Sequence, residues 1–359
     1  MKMLEKVDWK LLNTYIDNKL IMANKHPEYD IWILNYSVRV QAMKAWDEYT
    51  LSCRGLVVDA EGNILARPFQ KFKNYEEYLP SEIDWSMDFD AFEKMDGSLI
   101  ILFYYKSVSK WIVASRGSFI SEQALEAQKM LHVPLYDKLE EQMTYLFEIL
   151  YPENRIVLDY GNRRELVLLA VIETLSGYEL PYESVLATYS EYFTVVKKLE
   201  LKSFDELRKL INIGEDNKEG VVLRFANGFR LKMKFAEYCR LHAIVTNVSN
   251  LTIWEHLKNN NDFDELLDRV PDEFYDWLQK TVRKLKGDFN DIESQALMEY
   301  GKIYPVKGTD RRTFAIEALN TKYSAILFKM YDKRPYDEII WKMIRPVYSK
   351  PFKDGFEDE

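Results

Sequence analysis

Between about residue 50 and residue 234 the apolar residues come in short, β-branched or aromatic runs bounded by turn residues; beyond 234 they recur every three to four positions. The first pattern fits strands and the second lays apolar groups along one side of a helix, so the change of period constrains the fold more than any single residue. Strands are predicted over residues 55–59, 98–105, 111–115, 145–150, 166–172, 220–225 and 229–234. Asp59-Ala60-Glu61-Gly62-Asn63 and Ala226-Asn227-Gly228 read as hairpin turns, the second through an Asn-Gly pair that tolerates positive φ, so the sheets should be largely antiparallel. Helices are predicted over 121–131 and over 203–211, the latter opened by Ser203 and Glu206 at capping-box spacing. Further helices are predicted over 236–245, 251–257, 263–285, 291–300 and 312–330. The chain therefore reads as α+β: an antiparallel-sheet domain over residues 1–248, then an all-helical C-terminal domain over 249–359.

With 359 residues, 47% of them apolar, there is material for two domains and a sizeable core. The net charge of -9 means that any grip on nucleic acid comes from local basic and aromatic surface and weakens with salt. Two cysteines, Cys53 and Cys239, and four histidines, none at zinc-ligand spacing, argue against a disulfide scaffold or a structural zinc site. Cys53 beside Arg54 reads as a small buried residue rather than a nucleophile. There is no secretory apolar segment near the start and no run of membrane-spanning length, so a cytoplasmic protein with reduced thiols and no membrane contact is expected. The sequence does not set the oligomeric state, and a monomer is the default expectation. A phosphate loop of the GxxxxGK type is absent, so a nucleoside triphosphate would have to be held in another way.

The chemistry lies in charges set inside or at the edges of apolar runs. Lys94-Met95-Asp96-Gly97-Ser98 stands where the acidic, aromatic stretch 84–93 meets the run 98–105. A lysine held before an Asp-Gly turn and a buried strand keeps its amine partly out of water, the setting that makes lysine a nucleophile. Glu148 in Phe147-Glu148-Ile149, Glu219 in Glu219-Gly220-Val221-Val222, and Lys232 and Lys234 in Leu231-Lys232-Met233-Lys234 follow in order. Residues two apart on a strand share a face, so both downstream amines can reach one phosphate chain; taken alone, the same pair reads equally as a solvated face. Glu148 needs a partner, since an unpaired carboxylate among apolar residues is costly.

Together these residues resemble the ordered motifs of the lysine-dependent nucleotidyltransferases, the superfamily of ATP-dependent ligases and mRNA capping enzymes: KxDG at Lys94 to Gly97, the strand glutamate Glu148, EG at Glu219-Gly220, KxK at Lys232 and Lys234. Within it the chain is most similar to the RNA ligase 1 family of T-even phages, through Cys53-Arg54-Gly55, Ala66-Arg67-Pro68-Phe69-Gln70-Lys71-Phe72 and Asn154-Arg155-Ile156-Val157. The resemblance covers most of residues 50–240 and implies a nucleotidyltransferase (ATP-grasp-like ligase) domain, ATP as nucleotide with AMP carried on Lys94, and magnesium. It implies that Asp96 assists the metal or positions substrate, that Glu219 faces the lysine and the metal, and that Glu148 meets the ribose. Lys232 and Lys234 would neutralise the transferring phosphoryl group, with Arg54 and Lys71 on the outer phosphates. At Ser115-Arg116-Gly117-Ser118 the family often has lysine, so Arg116 keeps the charge but can lend no neutral amine.

The implied activity joins RNA 3′-hydroxyl and 5′-phosphate ends in single-stranded or nicked loop RNA, with tRNA anticodon-loop repair the task suggested. The helical domain would then help choose the RNA, its candidates being Lys307, Arg311, Arg312, Lys342, Arg345 and Lys350, and some of the many aromatic residues would stack on unpaired bases. A DNA ligase or capping guanylyltransferase is the alternative within this chemistry. Both usually follow the KxK strand with a small β-barrel, where this chain reads as helices. A nucleotide- or RNA-binding module that has lost the chemistry is the alternative outside it, and it predicts a damaged motif.

Overall fold

A computed structural model describes residues 4–131, 133–201, 203–214, 217–246, 249–259, 274–304 and 310–349. The chain divides into two compact units, Met1–His242 and Ala243–Glu359, a few residues ahead of the expected boundary. In chain order the strands of the first unit are β1 Ile21–Lys25, β2 Ile31–Tyr36, β3 Arg54–Asp59, β4 Ile64–Ala66, β5 Phe89–Lys94, β6 Ser98–Tyr105, β7 Lys110–Ser115, β8 Met143–Leu150, β9 Glu165–Glu173, β10 Thr194–Val195, β11 Lys198–Leu199, β12 Gly220–Phe225 and β13 Arg230–Lys234. They form three sheets, ordered β1-β2-β3-β4, β10-β9-β8-β6-β7 and β11-β5-β12-β13.

The middle sheet explains the unbroken apolar run of β6. Ile100 and Leu102 join Tyr145, Phe147 and Leu168 against the helices Glu122–Met130 and Tyr182–Tyr189. Leu99, Ile101 and Phe103 point the other way, packing with Leu146 and Ala170 against Ile31, Ile33 and Val57 of the first sheet. A strand covered on both faces has no polar alternation, and each large apolar side chain so buried contributes about 1.5–3 kcal/mol. The helix Trp9–Asp17 covers the outer face of the first sheet through Leu12. Leu207 of the helix Phe204–Ile213 does the same for the third sheet, against Val221, Leu223 and Met233. Pairing is antiparallel throughout the named strands except for β10 on β9.

Beyond residue 234 the described residues are helical: Ala236–Val245, Asn250–Lys258, Tyr275–Ile303, Arg311–Leu319, Ser324–Tyr331 and Asp337–Met343. Two expectations are corrected there. The expected helices 263–285 and 291–300 are not separate: one helix runs through Gly287 from Tyr275 to Ile303. Its buried Leu278, Val282, Leu285 and Ala296 keep a single apolar stripe across the glycine; residues 263–273 lie outside the described residues. Conversely, the expected helix 312–330 is two helices, because Asn320 caps the first, its Nδ2 donating to the Ile316 carbonyl at 3.1 Å. Phe314, Tyr323, Leu327 and Ile340 make the core of this unit. Among the described residues no helix is long and apolar enough to cross a membrane.

Candidate active site

Strand register assembles the centre. β12 lies between β5 and β13, and Gly220 is paired with Lys94 on one side and Lys234 on the other. Val222, one pleat along, faces Lys232. The nucleophile candidate, the glycine of the EG pair and both lysines of KxK thus occupy neighbouring rows of one sheet. Glu219, 3% exposed, places Oε2 2.6 Å from Lys94 Nζ and Oε1 3.6 Å from Lys234 Nζ. Its carbonyl accepts from the Phe235 amide at 2.9 Å, which fixes the residue as β12 begins. The Lys94 side chain keeps 21% of its surface open to solvent, so its amine is both held and reachable. On the far edge of the sheet, Lys232 donates its amide to the Lys73 carbonyl at 3.1 Å.

Asp96 is buried in the turn after Lys94. Its Oδ2 accepts from the amides of Val157 and Leu158 at 2.9 and 2.8 Å, and its Oδ1 from the Tyr238 hydroxyl at 2.8 Å. The Asp96 amide donates to the Tyr160 hydroxyl at 2.9 Å. With three donors on a carboxylate that is 4% exposed, the side chain ties the nucleophile turn to the segment after β8 and to the helix after β13. All three of these contacts hold Asp96 within the protein. Ser98 and Asn154 add a second tie, the Asn154 amide donating to Ser98 Oγ at 3.1 Å. Tyr238, which also carries Lys234 Nζ 5.3 Å from its ring centre, was not singled out from the sequence.

Glu148 lies on β8 opposite Leu99 of β6, just beyond Gly97 at the nucleophile turn. Burial pushes its carboxyl up to about 7, and Glu219 adds to the rise, while Lys94, Arg54 and the Gly97 amide pull it back. A raised carboxyl costs stability when it is ionised: the native state holds the proton more tightly than the unfolded chain, so the cost is absent below the unfolded value and complete above about 7. Glu148→Gln should therefore unfold at higher denaturant than the parent at pH 9, by up to about 3 kcal/mol, with the gap closing towards pH 4. Chemical denaturation across that range checks it.

Three cations gather around the Tyr36 ring, at the end of β2. Lys71 Nζ lies 5.7 Å and the Arg116 guanidinium 5.8 Å from its centre, and Lys71 is also 5.6 Å from the Trp46 ring. Arg54, the first residue of β3, sits 5.6 Å from the Phe72 ring, and its Nη1 is buried with no hydrogen-bond partner. Burial and the nearby Arg116 both disfavour its charge, and Tyr36 and Glu148 support it. A cluster of cations with an unsatisfied buried donor is built for an anion. The rings of Tyr36, Trp46 and Phe72 were not nominated from sequence, which shows no way to pair a ring with a distant cation. Arg67, within the same motif as Lys71, is structural: its Nε donates to the Thr174 carbonyl at 2.9 Å and its Nη2 to that of Leu4 at 2.8 Å.

Of the RNA-contact candidates, Lys307 and Lys350 lie outside the described residues. Arg311 pairs with Asp332 at 2.8 Å, and Arg345 stands over the Trp254 ring at 5.5 Å.

A held lysine amine, a buried glutamate bridging it to a second lysine, and a separate anion pocket can together attack and neutralise a polyphosphate, as a nucleotidyltransferase requires. The model of the RNA ligase family matches residues 52–238. The chain belongs to the RNA ligase family, and its activity is RNA ligation. It is 23% identical to the RNA ligase of Rhodothermus phage RM378, the match covering 77% of this chain and 76% of that one. Among solved structures, an archaeal ATP-dependent RNA ligase is similar with a TM-score of 0.47 at 15% identity, covering 76% of this chain and 74% of that chain. A putative ATP-dependent DNA ligase from Aquifex aeolicus is similar with a TM-score of 0.47 at 13% identity, covering 92% of this chain and 100% of that chain. The family assignment rests on the sequence match alone.

Proposed function

We propose that the protein seals RNA with ATP through a lysyl-AMP intermediate on Lys94. The single observation that carries this is the Glu219 carboxylate set 2.6 Å from Lys94 Nζ in the same sheet rows as Lys234. Neutral Lys94 Nζ attacks the α-phosphorus; a P–N bond forms, the bond to the bridging oxygen breaks, and pyrophosphate leaves with that electron pair as the amine loses its proton. Lys232 and Lys234 offset the charge that gathers on the phosphoryl oxygens. A terminal 5′-phosphate oxygen of RNA then displaces the lysine from AMP, and the amine regains a proton. Finally the 3′-hydroxyl of the other end loses its proton to solvent as its oxygen bonds to that 5′-phosphorus; the phosphoanhydride bond breaks and AMP departs with that electron pair.

Arg54, Lys71 and Arg116 take the outer phosphates of ATP in this reading, and Glu148 the ribose. Asp96 positions Lys94. Among the described residues no three potential ligands converge to hold a metal unaided. Magnesium, however, is typically bound by one or two carboxylates together with substrate phosphates. Glu219, with Glu148 within electrostatic reach, fits that mode, and the ion would supply charge neutralisation on the phosphates. The helices that follow Lys234 disfavour the DNA-ligase and capping alternatives, both of which call for a β-barrel there.

Single-stranded RNA bearing a 5′-phosphate, incubated with ATP and magnesium, should give adenylylated RNA and then sealed product, whereas GTP should give neither. Sealing that proceeds equally well with GTP, or with no nucleotide after the enzyme has been stripped with pyrophosphate, would contradict the proposal.

A further inference from the structure

The helical unit holds a cavity of about 620 Å³ that none of the chemistry above uses. One wall is a single face of the helix Tyr275–Ile303, presenting Lys284, Leu285, Asp288 and Asp291; the other is the segment from Met343 to Ser349, presenting Arg345. The walls are pinned. Asn250 Nδ2 donates to the Val347 carbonyl at 2.6 Å, its Oδ1 accepts from the Ser349 amide at 2.8 Å, and its own amide donates to the Ser349 carbonyl at 3.0 Å. The space is thus fixed by hydrogen bonds at its edge, and its volume is that of a small-molecule site.

The lining carries both signs of charge, and not all of it is mutually satisfied. Lys284 pairs with Asp288 at 2.7 Å. Arg345, by contrast, stands over the Trp254 ring, and both it and Asp291 are exposed at the cavity rim, neither in an ion pair with another described residue. A bare phosphate would suit Arg345 and be repelled by Asp291. A planar group with acceptor atoms on one edge and donor atoms on the next, whose face can lie against Leu285 and Met343, suits both. Next to the cavity, Val347 and Tyr348 are 90% and 52% exposed, an apolar approach on which a ring can stack.

We propose that this cavity receives one unpaired base of the RNA substrate, guanine above the others, with Arg345 donating to its O6/N7 edge and Asp291 accepting from its N1/N2 edge. This rests on the RNA-ligase reading and gives the helical unit a defined part in it: a splayed loop base is captured while the end to be sealed is processed elsewhere.

The test is fluorescence anisotropy of the full-length protein with a fluorescein-labelled RNA stem-loop whose loop contains guanine, and with the same RNA carrying adenine in the loop. Arg345→Ala, Asp291→Asn and the cavity-filling Met343→Trp should each weaken binding of the guanine loop at least about tenfold and erase the preference over adenine. Lys286→Ala, an exposed change on the same helix outside the lining, should bind like the parent, and thermal midpoints show that each variant is folded. Parent-like affinity in folded Arg345→Ala and Met343→Trp would overturn the proposal, as would equal loss for both loops. ATP labelling of the parent protein reports separately on the ligase reading.

Discussion

Lys94→Ala should lose ATP-dependent RNA sealing by roughly a thousandfold or more, since no other amine can replace a nucleophile that forms a covalent intermediate. Stability should change little: the side chain is partly exposed, and its loss leaves Glu219 beside Lys234. Sealing of RNA that already carries the 5′-adenylate bypasses the lysine and should persist. Denaturant curves and two gel assays, one with ATP and one with pre-adenylylated RNA, separate these outcomes. Loss of both reactions with the fold intact would give Lys94 a part in the last step as well. Retention of the ATP-dependent reaction would remove it from the chemistry.

Gly220→Ala should be nearly as damaging by another route. Gly220 has φ +152, and a Cβ built there would overlap the Met233 carbonyl oxygen and lie 2.7 Å from Lys234 Cα. Relief requires β12 and β13 to part, because the obstruction is backbone. The expected cost is about 2–4 kcal/mol. The same movement draws Lys234 away from Glu219 and Lys94, and misplacement by about an ångström in a positioned site costs on the order of a hundredfold in rate. Gly228→Ala is the control: it too has positive φ, +82, but at a hairpin tip with open space around it. It should lose about 1–2 kcal/mol and keep its activity.

Much of this architecture was legible because period and chemistry agreed. The runs that became β6, β8, β12 and β13 are bounded by turn residues, and the isolated charges within or beside them mark the site. β5 was less visible, since Asp90 and Glu93 make 84–93 read as an acidic stretch; its Phe89, Ala91 and Phe92 are half-buried or buried, and its pairing with β12 and β11 makes it a strand. β1 and β2 fall before the region whose pattern reads most clearly as strands, and β2 is bracketed by a loop and a short helix.

The partners of Asp96 could not be read from the sequence, for a plain reason. The donors to its carboxylate lie 61, 62 and 142 residues away along the chain, and local spacing carries no information about such partners. The same holds for Tyr36, whose ring meets Lys71 and Arg116 only after the end of β2, the loop that follows β4 and the end of β7 converge. The candidate residues stood out as charges in unlikely places, whereas Tyr36 and Tyr238, which pack against them, are ordinary aromatic residues in the sequence.

The most direct measurement removes bound AMP with pyrophosphate, incubates the protein with magnesium and α-labelled ATP, and locates the label by peptide mapping. Label on Lys94 alone, acid-labile as a phosphoramidate should be, is the result predicted here. Label on another residue, or none from ATP in folded protein, would contradict the assignment of Lys94 and with it the lysyl-AMP route.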